Sequence, residues 1–155
     1  MTRSAAGVST DSPDFGLSVG ESVTFSKTVG ESDVLQFAGI TGDFARQHID
    51  EHYMQRTRFG GRIAHGVLTL GLASTTSTAL SSRTGRQTVS YGYDRIRFTA
   101  PVRIGDTVEI TYTVEAVDVE AGRIRSAVRG VLQDGTVCLV ATHILAVVDD
   151  DADRS

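Results

Sequence analysis

Between residues 21 and 29 the chain reads ESVTFSKTV, with Val23, Phe25 and Lys27 alternating against polar neighbours. A period of two predicts a strand. The period changes in SDVLQFAGIT, where Val34, Phe37, Ala38 and Thr41 fall on one helical face, Ser32 offers an N-cap and Gly42 a stop. A polar stretch without period follows, as far as Gly60-Gly61. Then IAHGVLTLGLASTTSTALSS carries Val67, Leu68, Leu70, Leu72, Ala73, Ala79 and Leu80 on more than one face. A helix apolar most of the way round is one that other structure surrounds, and Gly85 ends it. The rest is β-branched and largely alternating: QTVSYGYDRIRFTAPV, DTVEITYTVEAVDV, RIRSAVRGVLQ and TVCLVATHILAVV. Ala121-Gly122 and Asp134-Gly135 mark hairpins between consecutive strands. The expected architecture is a single α+β domain over residues 17–148. Its four last strands form an antiparallel meander, and its sheet wraps one long central helix. Residues 1–16 are small and polar and are expected to be disordered, and residues 149–155 to form a solvated acidic tail.

Composition narrows the partners. At 155 residues the chain is about one domain, and a net charge of −4 argues against a nucleic-acid surface. Fourteen of the 15 basic residues are arginine, a side chain suited to phosphate. The one cysteine, Cys138, lies in the apolar run VCLVA and reads as a small buried hydrophobe, with no disulfide implied. No segment resembles a signal peptide, and no run reaches the roughly 18 apolar residues of a membrane span. The expectation is a cytoplasmic protein without a membrane partner. The four histidines lack the paired spacing of a zinc site and there is no phosphate-cradling glycine loop, so neither a metal nor a nucleotide cofactor is expected.

The candidate chemistry sits in GDFARQHID, where Asp43 and His48 lie five positions apart, just past the predicted end of the first helix. A carboxylate and an imidazole can divide two proton transfers near neutral pH, although the spacing by itself also fits two solvated loop residues. At the start of the long helix the first backbone N–H groups have no intrahelical partner and carry the positive end of the dipole. Gly66 leaves its N–H unobstructed for a carbonyl oxygen, and close packing of helix on sheet is compatible with that role. His65 reads as structural, its ring bonded to a neighbouring backbone group. His52 and His143 read as structural too.

Three stretches, in this order along the chain, resemble the MaoC-like dehydratases and (R)-specific enoyl-CoA hydratases, the hydratase-2 family of hotdog fold. FAGITGDFARQH is similar to that family's signature, GGRIAHG to the start of its central helix, and RFTAPVRIGDTVEI to its turn between two strands. Together they cover roughly residues 20–148. The resemblance implies a hydro-lyase that adds water to an enoyl-CoA thioester, or removes it from a 3-hydroxyacyl-CoA, with CoA present only as part of the substrate. It implies that Asp43 and His48 hold one water between them. It also implies that Ser74, nine residues after His65, orients Asp43; bonding back to its own helix is the competing reading for that serine. Arg46, and Arg62 within QRTRFGGR, are candidate contacts to substrate and to CoA phosphates, as are Arg56 and Arg58, against the alternative of a solvated face. One departure stands out: Ala45-Arg46-Gln47 replaces the family's usual Asn-Pro, removing a fixed φ and a local side-chain hydrogen bond. A hotdog thioesterase usually places a carboxylate on the central helix, and none is present here. A non-catalytic acyl-CoA-binding subunit is the remaining alternative. A sheet with an unprotected edge, and the resemblance itself, both imply a homodimer.

Overall fold

In the computed structural model, which describes residues 14–148, the first strand β1 (Ser22–Thr28) alternates part-buried Val23, Phe25 and Lys27 with exposed neighbours. Helix α1 (Glu31–Thr41) follows. Its N-cap is Gly30 rather than Ser32, because the Asp33 carboxylate reaches back to accept from the Gly30 N–H at 2.8 Å. The helix stops at Gly42, whose φ of 78° is the left-handed conformation glycine adopts freely, with its N–H donating to the Ala38 carbonyl. The stretch expected to be irregular holds two single-turn helices, α2 (Arg46–Ile49) and α3 (Glu51–Met54).

The long helix is two helices. α4 (Gly66–Gly71) and α5 (Ala73–Ser81) are separated at Leu72, whose N–H bonds the Thr69 carbonyl three residues back. The break follows a glycine and precedes a Ser/Thr-rich run, both weak helix formers. Nor is the helix surrounded. Ala73, Thr76, Ser77 and Leu80 are buried, while Val67, Ser74, Thr75, Thr78 and Ala79 are exposed.

The remaining strands are β2 (Gln87–Phe98), β3 (Thr107–Asp118), β4 (Arg123–Leu132) and β5 (Val137–Val148). They and β1 make one antiparallel sheet in the order β1-β3-β4-β5-β2. The expected four-strand meander is therefore a three-strand meander, β3-β4-β5, with its hairpins at the two predicted turns. β2 does not pair with β3. It lies on the far side of β5, and residues 99–106 carry the chain back across to β3, leaving the β3 edge to β1.

One face of the sheet meets the helices. Ile110, Tyr112, Val114, Ile124, Val128, Leu139 and Leu145 are buried there with Leu72, Ala73 and Leu80, and each large aliphatic side chain so buried contributes about 1.5–3 kcal/mol. The core also takes in Phe15 and Leu17, so folded structure begins earlier than expected: residues 14–16 form a turn, and Phe15 is buried. Residues 1–13 and the predicted acidic tail at 149–155 lie outside the described residues. His143 stands on the helix-facing side of β5 and is 1% exposed. Its Nδ1 lies 2.8 Å from the Tyr112 hydroxyl and its Nε2 2.8 Å from Ser90 Oγ, and its ring stacks on Tyr93. Burial lowers its pKa to about 4 and pushes the Tyr112 phenol up to about 12. Among the described residues, no helix is long and apolar enough to cross a membrane.

Candidate active site

The turn after α1 fixes Asp43. Its N–H donates to Thr41 Oγ1 at 3.3 Å and its Oδ1 accepts from the Ala45 N–H at 3.2 Å, a short Asx-type turn. That turn leads directly into α2, with Ala45 as the N-cap and the His48 N–H bonded to the Ala45 carbonyl. Arg46 reinforces the loop from outside: its guanidinium donates twice to Asp50 Oδ2 and lies over the Tyr53 ring. Ala45-Arg46-Gln47 thus brings His48 beside Asp43 without a proline.

His48 is buried, and its Nδ1 is 2.7 Å from the Ile63 carbonyl. A carbonyl only accepts, so the hydrogen-bond network assigns the proton to Nδ1 and leaves Nε2 with a free lone pair in the neutral ring. That Nε2 faces Asp43 Oδ2 at 4.0 Å. The gap is too long for a hydrogen bond and is of the order that one bridging water spans. The Asp43 side chain is 52% exposed, so its free oxygen is open to solvent.

Residues 63–65 tie the loop to the connection between β2 and β3. The Ile63 N–H donates to the Gln47 carbonyl and the Ala64 N–H to the Val102 carbonyl. His65 Nε2 donates to the Asp43 backbone carbonyl at 3.0 Å, and its ring stacks on His48 with centroids 3.7 Å apart. His65 therefore braces the turn that holds Asp43, and its Nδ1 is buried without a partner. Ligand atoms of Asp43, His48 and His65 lie within 4.8 Å of one another, a spacing that could hold a metal ion. His65 Nε2 is already occupied by a carbonyl, however, so only Asp43 Oδ2 and His48 Nε2 converge freely.

Gly66 opens α4 next to this pair. A cleft of about 470 Å³ runs past it, bounded by His48, Arg58, Gly66, Thr69, Phe98 and Cys138 among others. Asp43, His48, His65 and Gly66, all singled out in the sequence, are brought together. Other candidates fall elsewhere. Ser74 is exposed on α5; its carbonyl accepts from Ser77 Oγ, and it makes no hydrogen bond to Asp43. Arg62 is only 13% exposed, because its guanidinium bonds Glu31 and Glu51 and pins α1 to α3; the Glu31 bond raises its pKa above the ordinary arginine value. It is not available for a substrate phosphate. Arg46 is likewise committed to Asp50. Among the described residues, Arg58 is the one arginine lining the cleft, and it extends over the Phe59 ring. His52 is exposed on α3, away from these contacts. Phe98 and Thr69 were not singled out in the sequence. The RFTAPV stretch gave a signal for the phenylalanine, but nothing distinguished Thr69 from the other hydroxyls of its helix.

The profile of the MaoC-like domain matches residues 14–135. An (R)-specific enoyl-CoA hydratase from Rhodospirillum rubrum is 43% identical over 95 residues, covering 61% of this chain and 64% of that protein. A 3-hydroxybutyryl-CoA dehydratase from Methylorubrum extorquens is 42% identical over 111 residues, covering 72% of this chain and 69% of that protein. The match thus spans just under two thirds of the first relative's length and slightly more of the second's. The unliganded R-hydratase PhaJ1 from Pseudomonas aeruginosa superposes with a TM-score of 0.74 at 30% identity, over 86% of this chain and 84% of that one.

Proposed function

Since the chain belongs to the MaoC-like domain family, we propose that it is a hydro-lyase that hydrates an enoyl-CoA to a 3-hydroxyacyl-CoA and catalyses the reverse dehydration. The observation that carries this reading is the 4.0 Å gap between Asp43 Oδ2 and Nε2 of His48, whose Nδ1 faces the Ile63 carbonyl. Two acceptors at that separation suit one water, which donates a hydrogen bond to each. As the water oxygen bonds to the β-carbon of the double bond, the pair takes one of its protons and returns a proton to the α-carbon. The net change is addition of one water. Charge accumulates on the thioester oxygen as the α-carbon gains electron density, and the Gly66 N–H at the head of α4 is placed to receive it. His65 acts through Asp43, holding its backbone in place.

The carrier is assigned to the mouth of the cleft, where Arg58 offers a cation to a phosphate. A thioesterase has less support, since α4 and α5 carry no carboxylate to activate water at the carbonyl. A non-catalytic subunit would have no need to keep Asp43 Oδ2 and His48 Nε2 facing one another. We also propose a cytoplasmic location and a homodimer. The test is crotonyl-CoA hydration, followed by loss of the enoyl-thioester absorbance. Steady loss without release of free thiol supports the hydratase, whereas thiol release or no reaction at all contradicts it.

A further inference from the structure

Among the hydroxyls of α4 and α5, Thr69 stands apart. Thr76 Oγ1 donates to the Ala73 carbonyl at 2.7 Å, Ser77 Oγ to Ser74 at 2.9 Å and Ser81 Oγ to Thr78 at 3.1 Å. This back-bonding is the usual way a helical hydroxyl is satisfied. Thr69 is 1% exposed, yet its Oγ1 has no hydrogen-bond partner among the described residues. A buried hydroxyl without a hydrogen bond is destabilising, so one that persists calls for an explanation. Its position supplies one. Thr69 lines the same cleft as His48 and Gly66. It lies three residues after Gly66, on the same helical face, and a helical side chain leans over the turn that precedes it. The Phe98 ring, which also lines the cleft, packs against Gly66 at the start of that turn.

We propose that Thr69 Oγ1 is a second hydrogen-bond donor to the thioester carbonyl oxygen received by the Gly66 N–H, the two donors converging from one helix face. The inference rests on the hydratase reading above. The hydroxyl, which has no protein partner among the described residues, gains one when substrate binds, with the bond strengthening as the oxygen becomes enolate-like. Removing it therefore trades activity for stability.

The test compares Thr69→Val, which keeps the shape and loses the hydroxyl, with Thr69→Ser, which keeps the hydroxyl. For Thr69→Val the expected result is a melting temperature at or above wild type and a crotonyl-CoA turnover lowered by at least about tenfold, with KM little changed. Thr69→Ser should stay within a few-fold of wild type in turnover. With saturated butyryl-CoA as an unreactive probe, the bound carbonyl stretch should move to higher frequency in Thr69→Val and not in Thr69→Ser. If Thr69→Val does not fold, Thr69→Ala takes its place in the turnover and infrared comparisons. Turnover or carbonyl frequency unchanged on loss of the hydroxyl would overturn the inference, as would equal losses in the Val and Ser variants, which would indicate packing alone. A wild-type protein inactive on crotonyl-CoA would instead remove the hydratase reading and this inference with it. Activity that needs Asp43 but ignores the Thr69 hydroxyl would remove the inference alone.

Discussion

A Cβ built on Gly66 would lie 2.8 Å from Cδ2 of Phe98 and 2.9 Å from its Cγ and Cε2, so the ring closes the position to any side chain. Alanine would gain up to about 1 kcal/mol in helix propensity but would force Phe98 aside at an overpacking cost of about 1–3 kcal/mol. Gly66→Ala is expected to lower stability modestly in urea denaturation and to reduce crotonyl-CoA turnover at least about tenfold, because the wall of the cleft moves with the ring. A variant as stable and as active as wild type would show that the close approach has no functional consequence. At this scale, what could be read from the sequence was what is encoded locally. Asp43, His48, His65 and Gly66 lie in short motifs whose own turns and helix ends place them. Arg62 could not be read that way, because its acidic partners Glu31 and Glu51 lie 31 and 11 positions away and only the fold brings them together. Thr69 was hidden for a different reason: an unpaired hydroxyl is defined by which neighbours are absent.

The elements show the same division. Every predicted strand is present within a few residues, since alternation and turn residues are local signals. The place of β2 at the far edge was not legible, because a strand's pattern records which face is buried and not which neighbour it pairs with. The polar cluster joining β2, β3 and β5 through Ser90, Tyr112 and His143 is a consequence of that pairing, and it carries a pH prediction. Burial holds His143 neutral in the folded state down to about pH 4, against an ordinary value of 6.5 that the unfolded chain keeps. Between those values the unfolded state binds more protons. Stability from this group is therefore fully present above about pH 6.5 and is lost as pH falls toward 4, by up to about 3 kcal/mol. Urea denaturation from pH 7 to 4 should show the decline, and His143→Gln, itself less stable at pH 7, should show a shallower one. Equal slopes in the two proteins would mean that His143 does not drive the acid response.

At the scale of the whole molecule the sheet ends in two edge strands, β1 and β2. The two edge strands differ: β1 is short and carries Lys27 among exposed polar residues, whereas β2 has 12 residues, with Val89 46% and Tyr91 65% exposed. Lysine and short length blunt an edge; a long apolar one invites pairing. For the proposed homodimer, pairing through β2 would make one continuous sheet and set the cleft beside Phe98 near the partner. Sedimentation at micromolar concentration should give twice the 16.5 kDa chain mass, and a fully active 16.5 kDa species would contradict it. The central claim, however, is chemical: Asp43 and His48 act on one water as a unit. It is tested most directly by the crotonyl-CoA turnover of Asp43→Asn, His48→Ala and the double variant, each confirmed as folded. A loss of at least about a hundredfold is expected in each single variant, with little further loss in the double one. Near-wild-type turnover in a folded Asp43→Asn protein would contradict it.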